Sequence, residues 1–287
     1  MAIPFEEIDL RGLTPEEQQQ QMEIYAAEDR RRGFDLHRLP LLRFTLFRLD
    51  DNRSRLLKSC HHIILDGWST GILFKELFEL YDNPAALQHS PVVPYSRHIR
   101  HLIEKGEGEA EKFWKGYLQG YEPGRLIPDL NKASDQQTII PKEYVHSLGR
   151  SLSEGLEALA QRHGVSLNTV VQCLWAVLLG RYNGRRDVVF GMTSSGRAGQ
   201  QFGVESMVGL FINTLPVRIQ WDSTDTFGSL LARIQLEASE VQEHSHYSLI
   251  QIRNQAGVSR DQVLFVLIVV FDNYPIDDML RKRTGNK

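Results

Sequence analysis

Two adjacent histidines, an acid and a glycine mark the stretch of this sequence best equipped for chemistry: Lys58-Ser59-Cys60-His61-His62-Ile63-Ile64-Leu65-Asp66-Gly67-Trp68-Ser69. A neutral imidazole can take a proton from an attacking nucleophile, or hold that nucleophile by a hydrogen bond. Asp66 suits two roles: orienting a ring, or anchoring its loop by pairing with a cation. The local pattern does not choose between them. Cys60 beside His62 would also fit a thiol nucleophile with its base, although a free cysteine is most often a small buried hydrophobe.

The elements around this stretch must position it. Arg53 to Leu57 lead in as a strand, and period-two alternation places His62 on one face with Cys60 and Ile64, and His61 on the other with Ser59 and Ile63. Asp66-Gly67 reads as a turn that ends the strand, with Gly67 leaving room for another chain near the backbone. From Thr70 the spacing of Ile72, Leu73, Leu77, Phe78 and Tyr81 predicts a helix with one apolar face.

The nine residues His61-His62-x-x-x-Asp66-Gly67-Trp68-Ser69 closely resemble the active-site motif of the condensation domains of nonribosomal peptide synthetases. They resemble more loosely the wider chloramphenicol-acetyltransferase-like acyltransferases. The resemblance implies that His62 is catalytic, that His61 braces the strand, and that Asp66 is structural, held by an arginine of the other lobe. It extends to Asp187-Val188-Val189-Phe190-Gly191 with Ser195-Gly196-Arg197, which implies that Arg197 is the partner of Asp66. Met207 to Arg218, His244 to Leu249 and Asp272-Asn273-Tyr274-Pro275 are also family-like, with Ser248 standing where a proline is usual. By the same resemblance, Asn273 faces the reaction channel.

The implied fold is mixed α/β: two chloramphenicol-acetyltransferase-like lobes forming a V, with the active site in a tunnel between them. The implied activity is peptide-bond formation between a donor acyl or peptidyl thioester and an aminoacyl acceptor. Each would be carried on the 4′-phosphopantetheine of a peptidyl carrier protein, with an adenylation domain adjacent and no cofactor or metal bound by the chain itself. Related alternatives are an epimerisation domain, a CoA-dependent acyltransferase, or a catalytically silent module that docks carrier proteins. Family members have an earlier Arg-His-Glu-type segment and continue past Tyr274-Pro275, so both lobes are expected to be incomplete here.

The rest of the chain is read from its own pattern. Its 287 residues carry 41% hydrophobic and 24% charged residues and a net charge of −3, as in an ordinary globular protein without a nucleic-acid-binding face. Two distant cysteines, Cys60 and Cys173, give no disulfide framework and favour a reducing cytoplasm. No signal peptide and no membrane-spanning run is evident. Phe5 to Leu10 reads as a strand, Thr14 to about Arg32 as a helix ended by Gly33, and Leu42 to Leu49 as the strand before the histidines. Gln18 to Gln21 reads as a solvated face. Two helices, 95–102 and 104–120, precede a Pro-, Gly- and Asp-rich linker over 122–137. An N-terminal lobe over 1–138 and a C-terminal lobe over 139–287 follow from it. In the second part, Tyr144 to Leu148 reads as a strand, and Ser151 with Glu154 as a capping box opening a helix to His163. A helix over 167–182 is apolar nearly all round and so expected to be buried. Asn213-Thr214 is a polar break that could line a channel, 224–243 is a helix, and 263–271 reads as a buried strand. His98 with His101, and His244 with His246, have spacings of metal pairs but no third ligand.

Overall fold

The computed structural model describes residues 2–84, 92–123, 142–197, 203–258 and 262–271. Contacts group the chain into two compact units, Met1–Tyr95 with Ser206–Leu210, and Ser96–Glu205 with Phe211–Lys287. The packing does not divide at the 138/139 boundary expected from composition. The reason is the helix Gly108–Tyr117: its Trp114 and the following Leu118 are fully buried among Val189, Leu215, Tyr247 and Ile252 of the second unit.

In the first unit, β1 (Phe5–Asp9) leads through α1 (Pro15–Arg32) to β2 (Leu42–Arg48), and β3 (Ser54–Cys60) returns antiparallel to it. β1 and β2 pair in parallel, giving the order β1-β2-β3. Thr14 caps α1 in a reciprocal capping box with Glu17. Phe47, Met22 and Leu10 form the core under the sheet. Gln18 is not on a solvated face. It is buried, and its Nε2 donates to the carbonyls of Leu10 (3.1 Å) and Leu49 (2.8 Å), satisfying backbone where β1 and β2 end.

Arg43 is the hub of this unit. Its guanidinium donates to Asp29 Oδ1 (2.6 Å), to the Asp29 carbonyl (3.0 Å) and to the Gly33 carbonyl (2.9 Å), so it closes the C-terminal end of α1. It also lies over the Phe34 ring, 4.1 Å from its centroid. Burial would raise the Asp29 carboxyl, but hydrogen bonds from Arg43, Ser59 and Arg32 outweigh it and hold the group well below the usual carboxylate range.

In the second unit, β4 (Asp187–Ser194) pairs antiparallel with β5 (Asn213–Gln220) and in parallel with the short β6 (Ile268–Val269), in the order β5-β4-β6. One core joins this sheet to the helices Arg150–His163, Leu167–Asn183 and Phe227–Glu243 through Val170, Cys173, Phe190, Ile219 and Leu231. In chain order the helices after α1 are α2 (Gly67–Asp82), α3 (Tyr95–Lys105), α4 (Gly108–Tyr117), α5 (Arg150–His163), α6 (Leu167–Asn183), α7 (Phe227–Glu243) and α8 (Leu249–Gln255). Arg218 on β5 closes the end of α4, donating to the carbonyls of Tyr117 (3.1 Å) and Gln119 (2.8 Å) while pairing with Asp187.

Several expectations for this half change. Residues 144–148 join no ladder among the described residues, and Tyr144 and Val145 are exposed, so the apolar alternation there has nothing to pack on. α5 starts at Arg150 with Gly149 as its N-cap and no side-chain cap, because the helix is already under way at Ser151. α6 is buried on one side only: Leu174, Leu178 and Tyr182 form an exposed stripe at helical spacing. The run 263–271 contributes two paired residues. Phe265, Leu267 and Val269 pack on the core, whereas Val266, Ile268 and Val270 face out, as on a strand with one covered face. Among the described residues no single helix is long and apolar enough to cross a membrane.

Candidate active site

β3 ends at Cys60, before either histidine, so strand alternation does not extend through them. The His61 N–H still donates to the Leu41 carbonyl (3.0 Å), and the chain then turns, with Ile64 N–H donating to the His61 carbonyl (3.3 Å). The two imidazoles are therefore not set apart as alternate residues of one strand. His61 closes the ladder and His62 occupies the turn.

Their surroundings differ accordingly. His61 is half-buried, its Nδ1 accepts the Ile63 N–H (3.1 Å), and its ring meets Phe34 edge-on at 6.4 Å between centroids. With Nδ1 occupied as an acceptor, the neutral ring carries its proton on Nε2. His62 is exposed and its ring makes no hydrogen bond among the described residues. One histidine is committed to holding the turn, and the other is left accessible.

Asp66-Gly67 is a helix start and not a turn between strand and loop. Asp66 is the N-cap of α2, in extended conformation, and its Oδ1 accepts the Ser69 N–H at 2.7 Å. An aspartate three residues ahead of Ser69 carried that signal in the sequence. Asp66 is 2% exposed. The acid thus fixes the helix that begins beside the two imidazoles. Gly67 is the first helical residue.

Two residues missed by sequence reasoning complete the arrangement. Ser69 is fully buried, and its hydroxyl both donates to the Gly209 carbonyl (2.8 Å) and accepts the Gly209 N–H (3.0 Å). Asp66 N–H donates to the same carbonyl at 3.3 Å. Tyr95 lies against the other side: its hydroxyl donates to the Leu210 carbonyl, and a Cβ on Gly209 would overlap its ring. Only glycine fits between Ser69 and Tyr95. Nothing local in the sequence links Ser69 to Gly209, which lie 140 residues apart.

On β3, Lys58 shares a face with Cys60 and donates to Thr70 Oγ1 at 2.7 Å. Burial pulls its pKa down, while the adjacent Cys60 works in the other direction.

The Condensation domain family matches residues 1–286. The chain belongs to that family. It is 36% identical over 286 residues to bacitracin synthase 1 of Bacillus licheniformis, covering 98% of this chain and 5% of that protein. It is 35% identical over 288 residues to tyrocidine synthase 2 of Brevibacillus parabrevis, covering 99% of this chain and 8% of that protein. The chain therefore spans less than a tenth of the length of these relatives. Among solved structures, the NRPS cyclization-docking bidomain EpoB from Sorangium cellulosum superposes with a TM-score of 0.74 at 23% identity, over 94% of this chain and 56% of that one. The first condensation domain of the calcium-dependent antibiotic synthetase, in complex with a substrate analogue, does so with a TM-score of 0.70 at 20% identity, over 96% and 62%. These likenesses establish the condensation-domain fold.

Of the residues singled out from sequence, His61, His62, Asp66 and Gly67 come together in the first unit. Arg197 belongs to the second unit. There it is 7% exposed, donates to the Val204 carbonyl (2.6 Å) and lies over the Phe211 ring at 3.9 Å. Gly196 before it has φ +64°, and a Cβ there would collide with the Phe211 carbonyl, so glycine is required for the turn that delivers Arg197. Asn273 lies outside the described residues. Asn213 is a latch: its Nδ2 donates to the carbonyls of Ser245 (2.8 Å) and Tyr247 (3.0 Å). Ser248, in place of the usual proline, caps α8 in a capping box with Gln251, so the local turn is kept by a different device. His244 stacks on Phe113 at 4.3 Å, and His98 lies 4.5 Å from the Phe211 ring.

Proposed function

We propose that this chain forms an amide bond between a donor acyl or peptidyl thioester and an aminoacyl acceptor, each delivered on the phosphopantetheine arm of a carrier protein. Condensation domains of nonribosomal peptide synthetases are amide-bond-forming transferases. The observation that supports the same chemistry here is an accessible His62 on a turn fixed by His61 on one side and by the Asp66-capped helix on the other.

The neutral acceptor amine attacks the donor thioester carbonyl. A C–N bond forms, the tetrahedral intermediate collapses, the C–S bond breaks, and the proton lost by the amine ends on the departing thiol. His62 has two roles open to it in this sequence: accepting that proton, or holding an already neutral amine in line. General-base assistance contributes roughly 10²–10⁴ in rate. Holding two tethered substrates together adds an effective concentration that can exceed this. Asp66 and Arg197 are proposed to pair, since each is a buried charge and a buried carboxylate requires a cation or several donors. Asn273 is proposed to face the reaction channel. The partners would be a donor and an acceptor peptidyl carrier protein and an adjacent adenylation domain, in the cytoplasm.

The test is transfer from a loaded donor carrier to a loaded acceptor carrier, followed by intact mass, with wild type and His62→Ala compared. Transfer that is lost in the variant supports the proposal. Transfer that persists in His62→Ala removes His62 from the chemistry, and carrier binding without any transfer points to the docking module. Hydrolysis or epimerisation of the donor alone would indicate the related activities.

A further inference from the structure

The second unit contains a cavity of about 100 Å³ between the sheet and the helices α6 and α7. A cavity needs roughly 10–15 Å³ on this measure to hold one water, so this one has space for a molecule of several heavy atoms. Its wall carries polar groups. Gln172, 3% exposed, lines it. Asn168 stands one turn earlier on α6, on the same face, and its buried Oδ1 has no hydrogen-bond partner among the described residues. Across the cavity, Glu237 of α7 is half-buried, and burial raises its pKa. Ser194 and Gln242, by contrast, are already bonded to one another at 3.0 Å.

A buried carbonyl oxygen without a partner is costly, on the order of 1–3 kcal/mol. The unmet Asn168 Oδ1 stands on one helix face with the Gln172 carboxamide, opposite the Glu237 carboxyl, so the wall offers acceptors with the donors of Gln172 beside them. Met192, Leu215 and Ile234 supply apolar wall on the remaining sides.

We propose that this cavity binds a small nitrogen ligand presenting N–H donors together with an acceptor, of the primary-amide class, held by Gln172 and Asn168. The group could arrive as a free small amide or as the amide side chain of a carrier-bound substrate. The site lies wholly within the second unit and does not depend on the role proposed for His62. Thr193 and Ser194 on its wall lead directly into Ser195-Gly196-Arg197.

The full chain would be titrated with acetamide by ligand-observed NMR, with acetate as an acceptor-only control. Saturable acetamide binding is expected, weakened about threefold to tenfold by each of Gln172→Met and Asn168→Leu, the worth of one neutral hydrogen bond. Acetate should bind more weakly than acetamide. Absent saturation or equal binding in the variants would each overturn the proposal. A carrier-bound asparaginyl thioester that displaces acetamide, where the alanyl thioester does not, would identify the substrate side chain as the source. No displacement by either would identify a free amide. This last arm alone rests on the proposed carrier chemistry.

Discussion

Replacing Ser69 by alanine should loosen the segment around Gly209 more than the loss of one hydroxyl suggests. The hydroxyl serves both backbone groups of Gly209. Without it the Gly209 N–H is left in a buried position with no other bond among the described residues, and this costs about 1–3 kcal/mol. The carbonyl loses its shorter bond but keeps the 3.3 Å bond from Asp66 N–H, so its share is nearer the net worth of one hydrogen bond, about 0.5–1.5 kcal/mol. Together these give about 2–4 kcal/mol. The segment cannot shift to compensate, because the Tyr95 ring fills the space where a Cβ on Gly209 would stand. Converted at tenfold per 1.4 kcal/mol, the Gly209 amide should exchange with solvent roughly 30- to 700-fold faster in Ser69→Ala, if exchange proceeds through local opening. Hydrogen exchange read at that amide, beside urea denaturation of the chain, is the assay. Thr70→Ala, which removes a half-buried hydroxyl on the same helical turn, serves as the control. Exchange at Gly209 within threefold of wild type in Ser69→Ala, with unchanged denaturation, would refute the argument that Ser69 locks this segment.

Asp66→Ala should cost about 1–2 kcal/mol by loss of the N-cap, while Asp66→Asn, which keeps a capping oxygen, should recover most of it in urea denaturation. If the proposed pair with Arg197 also holds, Asp66→Asn will retain a deficit, and a double-mutant cycle with Arg197→Ala will show coupling beyond additivity. Arg43→Ala should destabilise the first unit by about 3–5 kcal/mol, since it leaves Asp29 buried without its main cation. Because the folded Asp29 carboxyl is held below its unfolded value near 4, its contribution is complete above that pH and is lost as pH falls through the folded value. Asp29→Asn should therefore flatten the acid limb of stability measured from pH 7 to below 4. His61→Ala should lower the rate of carrier-to-carrier transfer by less than His62→Ala does, because it loosens the turn held through the Ile63 N–H, and a loss equal to that of His62→Ala would refute this.

The course of the chain was legible wherever local chemistry fixed it. Thr14 with Glu17, Ser166 with the apolar run after it, and the glycine after Arg32 mark helix ends by capping alone, and the structure places α1 and α6 accordingly. Legibility failed where burial depends on a distant partner. Gln18 sits in a run of glutamines that resembles a solvated face, and only the junction of Leu10 and Leu49 makes it structural. Residues 144–148 and 263–271 have strand-like composition, but a strand is defined by its neighbour. The first has none among the described residues and the second pairs over two positions. The partners of Asn213 were hidden in the same way, because Ser245 and Tyr247 come from a turn that sequence spacing does not bring to it.

The histidine motif shows how little of its mechanics residue types alone reveal. Alternation places the two rings on opposite faces of a strand, and the structure separates them by another route: His61 spends its Nδ1 on the Ile63 N–H, and His62 is left in the turn. The acid whose position invites pairing with a histidine instead caps the N-terminus of α2. The serine at the end of the motif, which has no evident part in proton transfer, binds Gly209 from a second family-like segment. An exposed imidazole useful for chemistry must be held by its backbone, since its own ring has to remain unengaged. The committed neighbours do that holding: His61 fixes the turn, Asp66 fixes the helix start, and Ser69 ties that start to a strip of chain that only glycine can occupy. On the proposed role of His62, a change at Ser69 or Gly209 should lower turnover by displacing that ring, and rescue by Ser69→Thr, which keeps the hydroxyl, would separate that positional effect from a loss of chemistry.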